Sequence, residues 1–133
     1  MSVFRSTAPR HVMRRYLGGR CDVLATALAK STGHPLWGMK NDAGQIEHVF
    51  VRDANSGLAI DIRGAMPLEE VARGSALEHR SHEFVETDLD EVTTTYGIAG
   101  PSELREAREV VKDHLSRVIE KVSELPSDHP AEP

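Results

Sequence analysis

Residues 18–64 read GGRCDVLATALAKSTGHPLWGMKNDAGQIEHVFVRDANSGLAIDIRG, and the rest of the 133-residue chain is organised around this stretch. It contains the only cysteine of the chain and, further along, a histidine and an aspartate, in the order Cys21, His48, Asp61. The pattern predicts a helix that begins at Cys21, followed by antiparallel strands that carry the other two residues. This order indicates nucleophilic catalysis, because an imidazole can act as base and then as acid while a carboxylate fixes its tautomer.

The helix is predicted to begin at Cys21 and to end before Gly33, a residue type that commonly follows helices. Asp22 places an acid in the first turn, where the helix dipole favours negative charge. Leu24 and Leu28 follow at helical spacing, so the thiol shares their inward-facing stripe. The thiolate is the reactive form of cysteine, and a helix N-terminus stabilises it, which makes Cys21 a candidate nucleophile.

Two runs of alternating character predict neighbouring strands, EHVFVRD at 47–53 and LAIDIR at 58–63. The four residues between them suit a hairpin loop. One register collects the aliphatic residues of both strands on a single face, whereas a slip of one residue would scatter them over both faces. The predicted pairs are Asp53 with Leu58, Val51 with Ile60, and Val49 with Ile62.

The opposite face of this hairpin then carries His48, Phe50, Asp61 and Arg63. His48 and Asp61 become diagonal neighbours, roughly 7–8 Å apart at the backbone, a distance that their side chains can span. Asp53 is closer to His48 in sequence, but its odd separation along the strand places it on the aliphatic face. Asp61, and not Asp53, is therefore the predicted carboxylate that orients His48.

A cysteine at a helix start, followed by histidine and aspartate on consecutive strands, resembles the core of the papain-like and transglutaminase-like cysteine enzymes. The pieces that carry the resemblance are RCDVLATAL, EHVFV and AIDIRG, within residues 18–64. It implies a papain-like or transglutaminase-like fold with Cys21, His48 and Asp61 as the catalytic residues. Members often place a glutamine upstream of the cysteine to help bind the oxyanion, whereas the only glutamine here, Gln45, lies downstream.

The predicted function is cysteine-dependent acyl transfer at an amide or ester, of the protease or deamidase type, on a protein or peptide-like substrate. The intermediate is a thioester on Cys21, and its oxyanion is bound by the Cys21 backbone N–H and one unidentified donor. Trp37 and Phe50 are the candidate substrate-binding residues. The alternative for Trp37 is that it fills the core, as large aromatic side chains near a small sheet usually do. The alternative function is a non-enzymatic protein-binding module on the same scaffold, in which the thiol is inert.

The composition of the chain limits the classes of function and the cellular locations that fit it. A net charge of −5 and a pI near 5.8 argue against nucleic-acid binding. A single cysteine cannot form an internal disulfide, which favours a reducing, cytoplasmic location. No apolar run approaches the length of a membrane span. His79 and His82 are a weak metal signal without a second cysteine, so neither a metal nor another cofactor is predicted.

The remaining sequence predicts supporting elements of one domain over residues 1–125, ahead of a disordered tail over 126–133. In chain order they are a short helix at 9–17, a strand at 34–40, a short helix from Pro67, a strand at 79–87, a polar turn-rich segment at 88–100 and a long helix at 101–125. Gly64 is predicted to end the third strand. The expected fold is α+β, a small antiparallel sheet with the cysteine-bearing helix and the long C-terminal helix packed on it.

The long helix at 101–125 carries an apolar stripe at spacings of three and four. We expect it to pack across the aliphatic face of the sheet, because a one-faced sheet needs an apolar cover. A homodimer interface formed by the same stripe is the alternative.

Overall fold

The computed structural model describes residues 3–126, which form an α+β fold around a six-stranded antiparallel sheet. The strands follow one another across the sheet in the order β1-β5-β4-β3-β2-β6. Their bounds are Phe4–Arg5 for β1, Leu36–Asn41 for β2, Ile46–Arg52 for β3, Ala59–Asp61 for β4, Gly64–Met66 for β5 and His82–Glu86 for β6. The centre of the sheet is therefore the predicted meander of β2, β3 and β4.

Helices cover one face of this sheet, and a shorter segment covers the other. The α-helices are α1 at Arg10–Leu17, α2 at Cys21–Thr32, α3 at Leu89–Tyr96, α4 at Pro101–Val110 and α5 at Ser116–Ser123, with a π-helical turn at Val111–Leu115 between the last two. A 3₁₀ helix at Leu68–Ala72 is part of the segment that covers the other face. No helix within residues 3–126 has the length and apolar character needed to cross a membrane.

The β3–β4 hairpin has the predicted register. Val51 pairs with Ile60, and the backbone N–H of Asp53 donates to the carbonyl of Leu58 at 2.9 Å. Ile62 lies beyond the end of β4 but remains fully buried with the other aliphatic residues. These pairs confirm the predicted register. The register is specified because only one alignment of the two strands buries all their aliphatic residues on one face.

The α2 helix lies between the sheet and the C-terminal helices. Its first eight residues, Cys21 to Leu28, are all buried, as expected for a helix that is covered on more than one side. It packs against β3 and β4 on one side and against α4 on the other. Gly33 ends it with a φ of 77°, in the left-handed conformation that glycine adopts without steric cost.

The C-terminal helix is placed differently from the prediction. It packs mainly on α2, and α5 reaches the sheet at the β1 and β5 edge, while α2 covers the centre of the aliphatic face. The reason is that α2 is apolar around most of its circumference and needs a cover on its outer side. The stripe that also suggested a homodimer is buried inside the chain at Ala107, Val111, Leu115, Val118 and Val122.

Two strands, the edge strand β1 and its neighbour β5, were not predicted. Gly64, expected to end the third strand, instead begins β5, and β5 pairs with β1 through Ala65 and Phe4. The φ of Gly64 is +121°, and a Cβ built at this position would lie 2.0 Å from the carbonyl oxygen of Phe4. Glycine is therefore required where β1 approaches this turn.

The segment at 88–100, predicted to be turn-rich, contains α3. The carboxylate of Asp88 caps this helix by accepting the backbone N–H of Glu91 at 2.8 Å, a standard way to satisfy a free donor at a helix start. The strand predicted at 79–87 is shorter and begins at His82. Residues 127–133 of the predicted tail lie outside the described residues.

Candidate active site

Cys21 is the first residue of α2, and its side chain is buried. The first backbone N–H groups of a helix have no acceptor within the helix, so they are available to a ligand or to a negative charge. The preceding residue, Arg20, forms an ion pair with Glu103 of α4, which fixes the chain just before the cysteine. The thiol therefore lies at the positive end of a well-packed helix.

His48 lies on β3 at an irregularity in the sheet. Met39 of β2 pairs with His48 but Lys40 pairs with Ile46, so Glu47 is an extra residue in β3. Such a bulge changes the direction of the neighbouring side chains and often occurs beside functional sites. The His48 ring stacks on Phe50, with ring centroids 6.1 Å apart and planes 24° from parallel.

Asp61 ends β4 and is buried. Its Oδ2 lies 3.0 Å from Nε2 of His48. Arg63 holds the carboxylate from the other side, with its backbone N–H at 2.8 Å from Oδ1 and its Nη2 at 2.6 Å from Oδ2. A buried carboxylate is tolerated because these donors replace the water that it has lost.

The guanidinium of Arg63 also donates to the backbone carbonyl of Val71 at 3.0 Å and to that of Arg73 at 3.2 Å. The end of the 3₁₀ helix and Arg73, the residue that follows it, are thereby connected to the carboxylate of Asp61. His48, Asp61 and Arg63 form one network in which each charge faces a partner of opposite charge.

The protonation states of the pair follow from this network. Burial disfavours the protonated form of His48, but hydrogen bonds to Asp61 and to the thiol of Cys21, together with the negative charge of both groups, raise its pKa to about 9. Burial likewise opposes ionisation of Asp61, yet hydrogen bonds from His48 and Arg63 and their positive charges hold the pKa of this carboxyl well below its usual range. Near neutral pH the pair is therefore an imidazolium beside a carboxylate. Because Nε2 faces Asp61, Nδ1 is the ring nitrogen left for the thiol.

Tyr96, the last residue of α3, also reaches the thiol, and the sequence did not identify it. Its hydroxyl oxygen lies 3.8 Å from Sγ of Cys21. Burial, followed by the negative charge of Cys21 and a hydrogen bond to it, raises the pKa of this phenol, so it keeps its proton. The local signal that could have revealed α3 is Asp88 followed three residues later by Glu91, a pattern typical of a helix start.

Of the two predicted substrate-binding residues, Phe50 lies directly beside His48 and Trp37 lies away from it. Phe50 is completely buried beneath the His48 ring, so it supports the histidine instead of meeting a substrate. Trp37 packs against the cluster on that face and lies under the guanidinium of Arg52, 4.6 Å from its ring centroid. It borders a depression shared with Arg52, which does not include His48. Both positions follow from core packing of aromatic side chains on a small sheet.

A cavity of about 280 Å³ opens beside His48 on the sheet face opposite α2. Its lining combines apolar side chains with polar or charged ones, namely Leu17, Met39, Val71, Ala76 and Leu77 with Glu47, His48, Arg63, Arg73 and Ser75. A mixed lining of this kind suits a small molecule or side chain that has both apolar and polar parts.

Asp53, the rival of Asp61, has a different role. Its carboxylate accepts the backbone N–H and the hydroxyl of Ser56 at 3.0 and 2.6 Å, which closes the hairpin loop. His34 lies 3.8 Å away. The carboxylate that reaches His48 is thus the one chosen by strand parity.

Among residues 3–126, no group of three or more histidine, cysteine, aspartate or glutamate side chains is arranged to hold a metal ion. Comparison of the chain with protein-family models, with curated proteins and with solved structures finds no match. The chemistry of the site therefore has to be argued from its own residues.

Proposed function

We propose that this protein is a cysteine-dependent acyl-transfer enzyme that hydrolyses an amide or ester bond in a protein or peptide-like substrate. The observation that supports the proposal most strongly is the placement of His48. Asp61 holds its Nε2 at 3.0 Å, and the neighbouring Cys21 thiol at the start of α2 contributes to raising its pKa. A nucleophile, a base and a residue that orients the base are the three parts that such a reaction requires.

In the proposed reaction Cys21 reacts as a thiolate whose proton is on Nδ1 of His48. The sulfur attacks the substrate carbonyl carbon, a C–S bond forms, and the carbonyl π electrons move to the oxygen. When this intermediate collapses, the bond to the leaving nitrogen or oxygen breaks, and His48 gives that atom the proton on Nδ1. A thioester on Cys21 remains. Water then attacks it, His48 takes the water proton, and the C–S bond breaks to release the acid and the cysteine.

Asp61 has a positioning role in this reaction. A carboxylate hydrogen-bonded to Nε2 keeps the imidazole oriented and stabilises its protonated form, while the other nitrogen faces the reacting atoms. Arg63 keeps that carboxylate ionised and in place. The imidazolium is thus ready to protonate a leaving group without further rearrangement.

The cavity beside His48 is the proposed binding site for the leaving-group side of the substrate, because the proton donor has to face that group. Leu17, Met39 and Leu77 provide apolar contacts there, and the charged Glu47, Arg63 and Arg73 favour polar groups on the same substituent. The order and placement of the three residues are also those implied by the resemblance to papain-like and transglutaminase-like enzymes. The unpaired thiol that this chemistry needs is consistent with the cytoplasm as the proposed location.

The test uses p-nitrophenyl acetate as a generic acyl donor. The wild-type protein is expected to release nitrophenol in a burst and to carry an acetyl group on Cys21, located by peptide mass spectrometry. Cys21→Ser should retain the fold, judged by circular dichroism, and lose both signals. Release of nitrophenol at an undiminished rate by this variant would contradict the proposal, and so would a folded wild-type protein that is never acetylated at Cys21.

A further inference from the structure

The start of α2 supplies one oxyanion donor but not a second. The backbone N–H of Cys21 is at the first helical position, where no acceptor exists within the helix. A tetrahedral intermediate is normally bound by two donors, and removing one slows acyl transfer substantially. Gln45, the only glutamine, is in the β2–β3 turn, where its side-chain oxygen accepts a hydrogen bond from Asn41.

Tyr96 is the hydroxyl side chain placed for this task. Within residues 3–126, its hydroxyl is the only one that forms a hydrogen bond with Sγ of Cys21, at 3.8 Å. When Sγ attacks a carbonyl carbon, the carbonyl oxygen lies close to Sγ. With the Tyr96 hydroxyl 3.8 Å from Sγ, this oxygen can lie about 2.7–3.1 Å from the hydroxyl, the range in which a donor stabilises an oxyanion.

The surroundings of Tyr96 keep it a donor. Its burial and the nearby negative charges of Cys21, Asp22 and Glu47 all disfavour a phenolate. A neutral phenol retains an O–H that can be directed at a developing negative charge.

The helix that carries Tyr96 is fixed at its other end. Glu91 accepts a hydrogen bond from Lys40 of β2 at 3.0 Å and another from the hydroxyl of Thr87. Asp88 caps the same end of α3. Such anchoring holds the hydroxyl in position before the reaction begins, which is the condition under which an oxyanion donor is effective.

We propose that Tyr96 is a catalytic residue whose hydroxyl, together with the backbone N–H of Cys21, binds the oxyanion of the tetrahedral intermediate. This inference rests on the proposed acyl-transfer function. The phenol keeps its own proton throughout: it donates a hydrogen bond while the carbonyl π electrons reside on oxygen, and it releases that oxygen when the C=O bond re-forms.

The experiment compares two reactions of the same thiol. Acetylation of Cys21 by p-nitrophenyl acetate passes through an oxyanion, whereas alkylation by iodoacetamide displaces iodide at a saturated carbon and forms none. Tyr96→Phe removes only the hydroxyl. The matched control is Tyr16→Phe, which makes the same change at the other tyrosine of the chain, a buried residue of α1.

For Tyr96→Phe we expect acetylation of Cys21 to slow on the order of 100-fold, as when one oxyanion donor is lost, while alkylation changes by less than about threefold. Tyr16→Phe should leave both rates near the wild-type values. An unchanged acetylation rate in Tyr96→Phe would overturn the inference and leave the proposed function intact. Equal slowing of both reactions would also overturn it, because Tyr96 would then act on the thiol itself. A wild-type protein that is not acetylated at Cys21 would refute the proposed function, and with it the role of Tyr96.

Discussion

The molecule contains two histidine–aspartate pairs near the β3–β4 hairpin, and they are built differently. His48 and Asp61 are 3.0 Å apart, with side chains 7% and 3% exposed. His34 and Asp53 are 3.8 Å apart, with side chains 22% and 7% exposed. The first pair lies next to the only thiol, and the second lies at the hairpin loop. A histidine near an aspartate is therefore not sufficient to indicate a site.

The difference is in what else each carboxylate binds. Asp53 accepts its other hydrogen bonds from Ser56 and Asn55, residues of the loop that it closes. Asp61 receives them from Arg63, whose guanidinium and the imidazole of His48 both contact Oδ2. One carboxylate shapes a local turn, and the other orients an imidazole that belongs to a different strand.

The largest expected effect is the loss of activity on replacing His48, and replacement of His34 is the matched control. His48→Gln should lower the rate of Cys21 acetylation by p-nitrophenyl acetate by roughly 10³-fold or more, because the thiol loses its base and its stabilising cation. His34→Gln should leave that rate unchanged. Stopped-flow release of nitrophenol measures both. Comparable losses in the two variants would show that the distinction between the pairs has no catalytic meaning.

The aspartates provide the second comparison. Asp61→Asn should reduce acetylation by on the order of 100-fold or more, since the imidazole loses the negatively charged, acceptor-only group that fixes its tautomer and stabilises its charge. Asp53→Asn should have little effect on the rate. Circular dichroism confirms that both variants are folded. If Asp53→Asn were the more damaging change, the assignment of Asp61 as the orienting residue would be wrong.

The third expectation concerns pH and the stability of the fold. The pKa of His48 rises from 6.5 to about 9 on folding, so the folded state binds this proton more tightly than the unfolded state. The resulting stabilisation is fully present below pH 6.5 and is lost as the pH rises through about 9. Its full size is on the order of 3 kcal/mol.

Urea unfolding of the wild type and of His48→Gln at about pH 6 and about pH 10 measures this effect. The advantage of the wild type should shrink at the higher pH. An advantage that is constant over this interval would mean that His48 is neutral in the folded protein.

The smallest effect is expected from the loop carboxylate. Asp53→Ala should lower the free energy of unfolding by about 1–2 kcal/mol, because the backbone N–H and hydroxyl of Ser56 lose their acceptor. Asp42→Ala, an exposed residue of the β2–β3 turn, serves as the control and should change stability much less. The melting temperatures of the two variants measure this difference. Equal values would show that the stability of the loop does not depend on the Asp53 carboxylate.

The hairpin could be predicted because its information is local. Alternation of aliphatic residues fixes the register of Val51 with Ile60, and parity then selects Asp61 over Asp53. The bulge at Glu47 could not be predicted in this way, because it depends on how β3 meets β2 and leaves no local pattern. β1 and β5 span two and three residues, too few to display alternation.

Tyr96 was missed for two reasons. Three consecutive threonines precede it, and β-branched residues have a low helix propensity, which concealed α3. Even a correctly predicted α3 would not place Tyr96 against Cys21, since that contact depends on how α2, α3 and the sheet pack together. The interaction joins residues that are 75 positions apart, a separation over which no local pattern provides information.

The contacts of Arg63 increase the number of residues that would have to be moved together if the site were grafted into another protein. Its guanidinium bridges the carboxylate of Asp61 and the backbone carbonyls of Val71 and Arg73. A graft of α2 and the β3–β4 hairpin into another scaffold would carry the thiol, the imidazole and the carboxylate, but it would leave those two carbonyls behind. The guanidinium would then be free to turn toward water, and the carboxylate would lose its anchor. The unit that an engineer has to move therefore extends through the 3₁₀ helix to Arg73, in addition to α3 with Tyr96, although neither of the two backbone carbonyls takes part in the proposed chemistry.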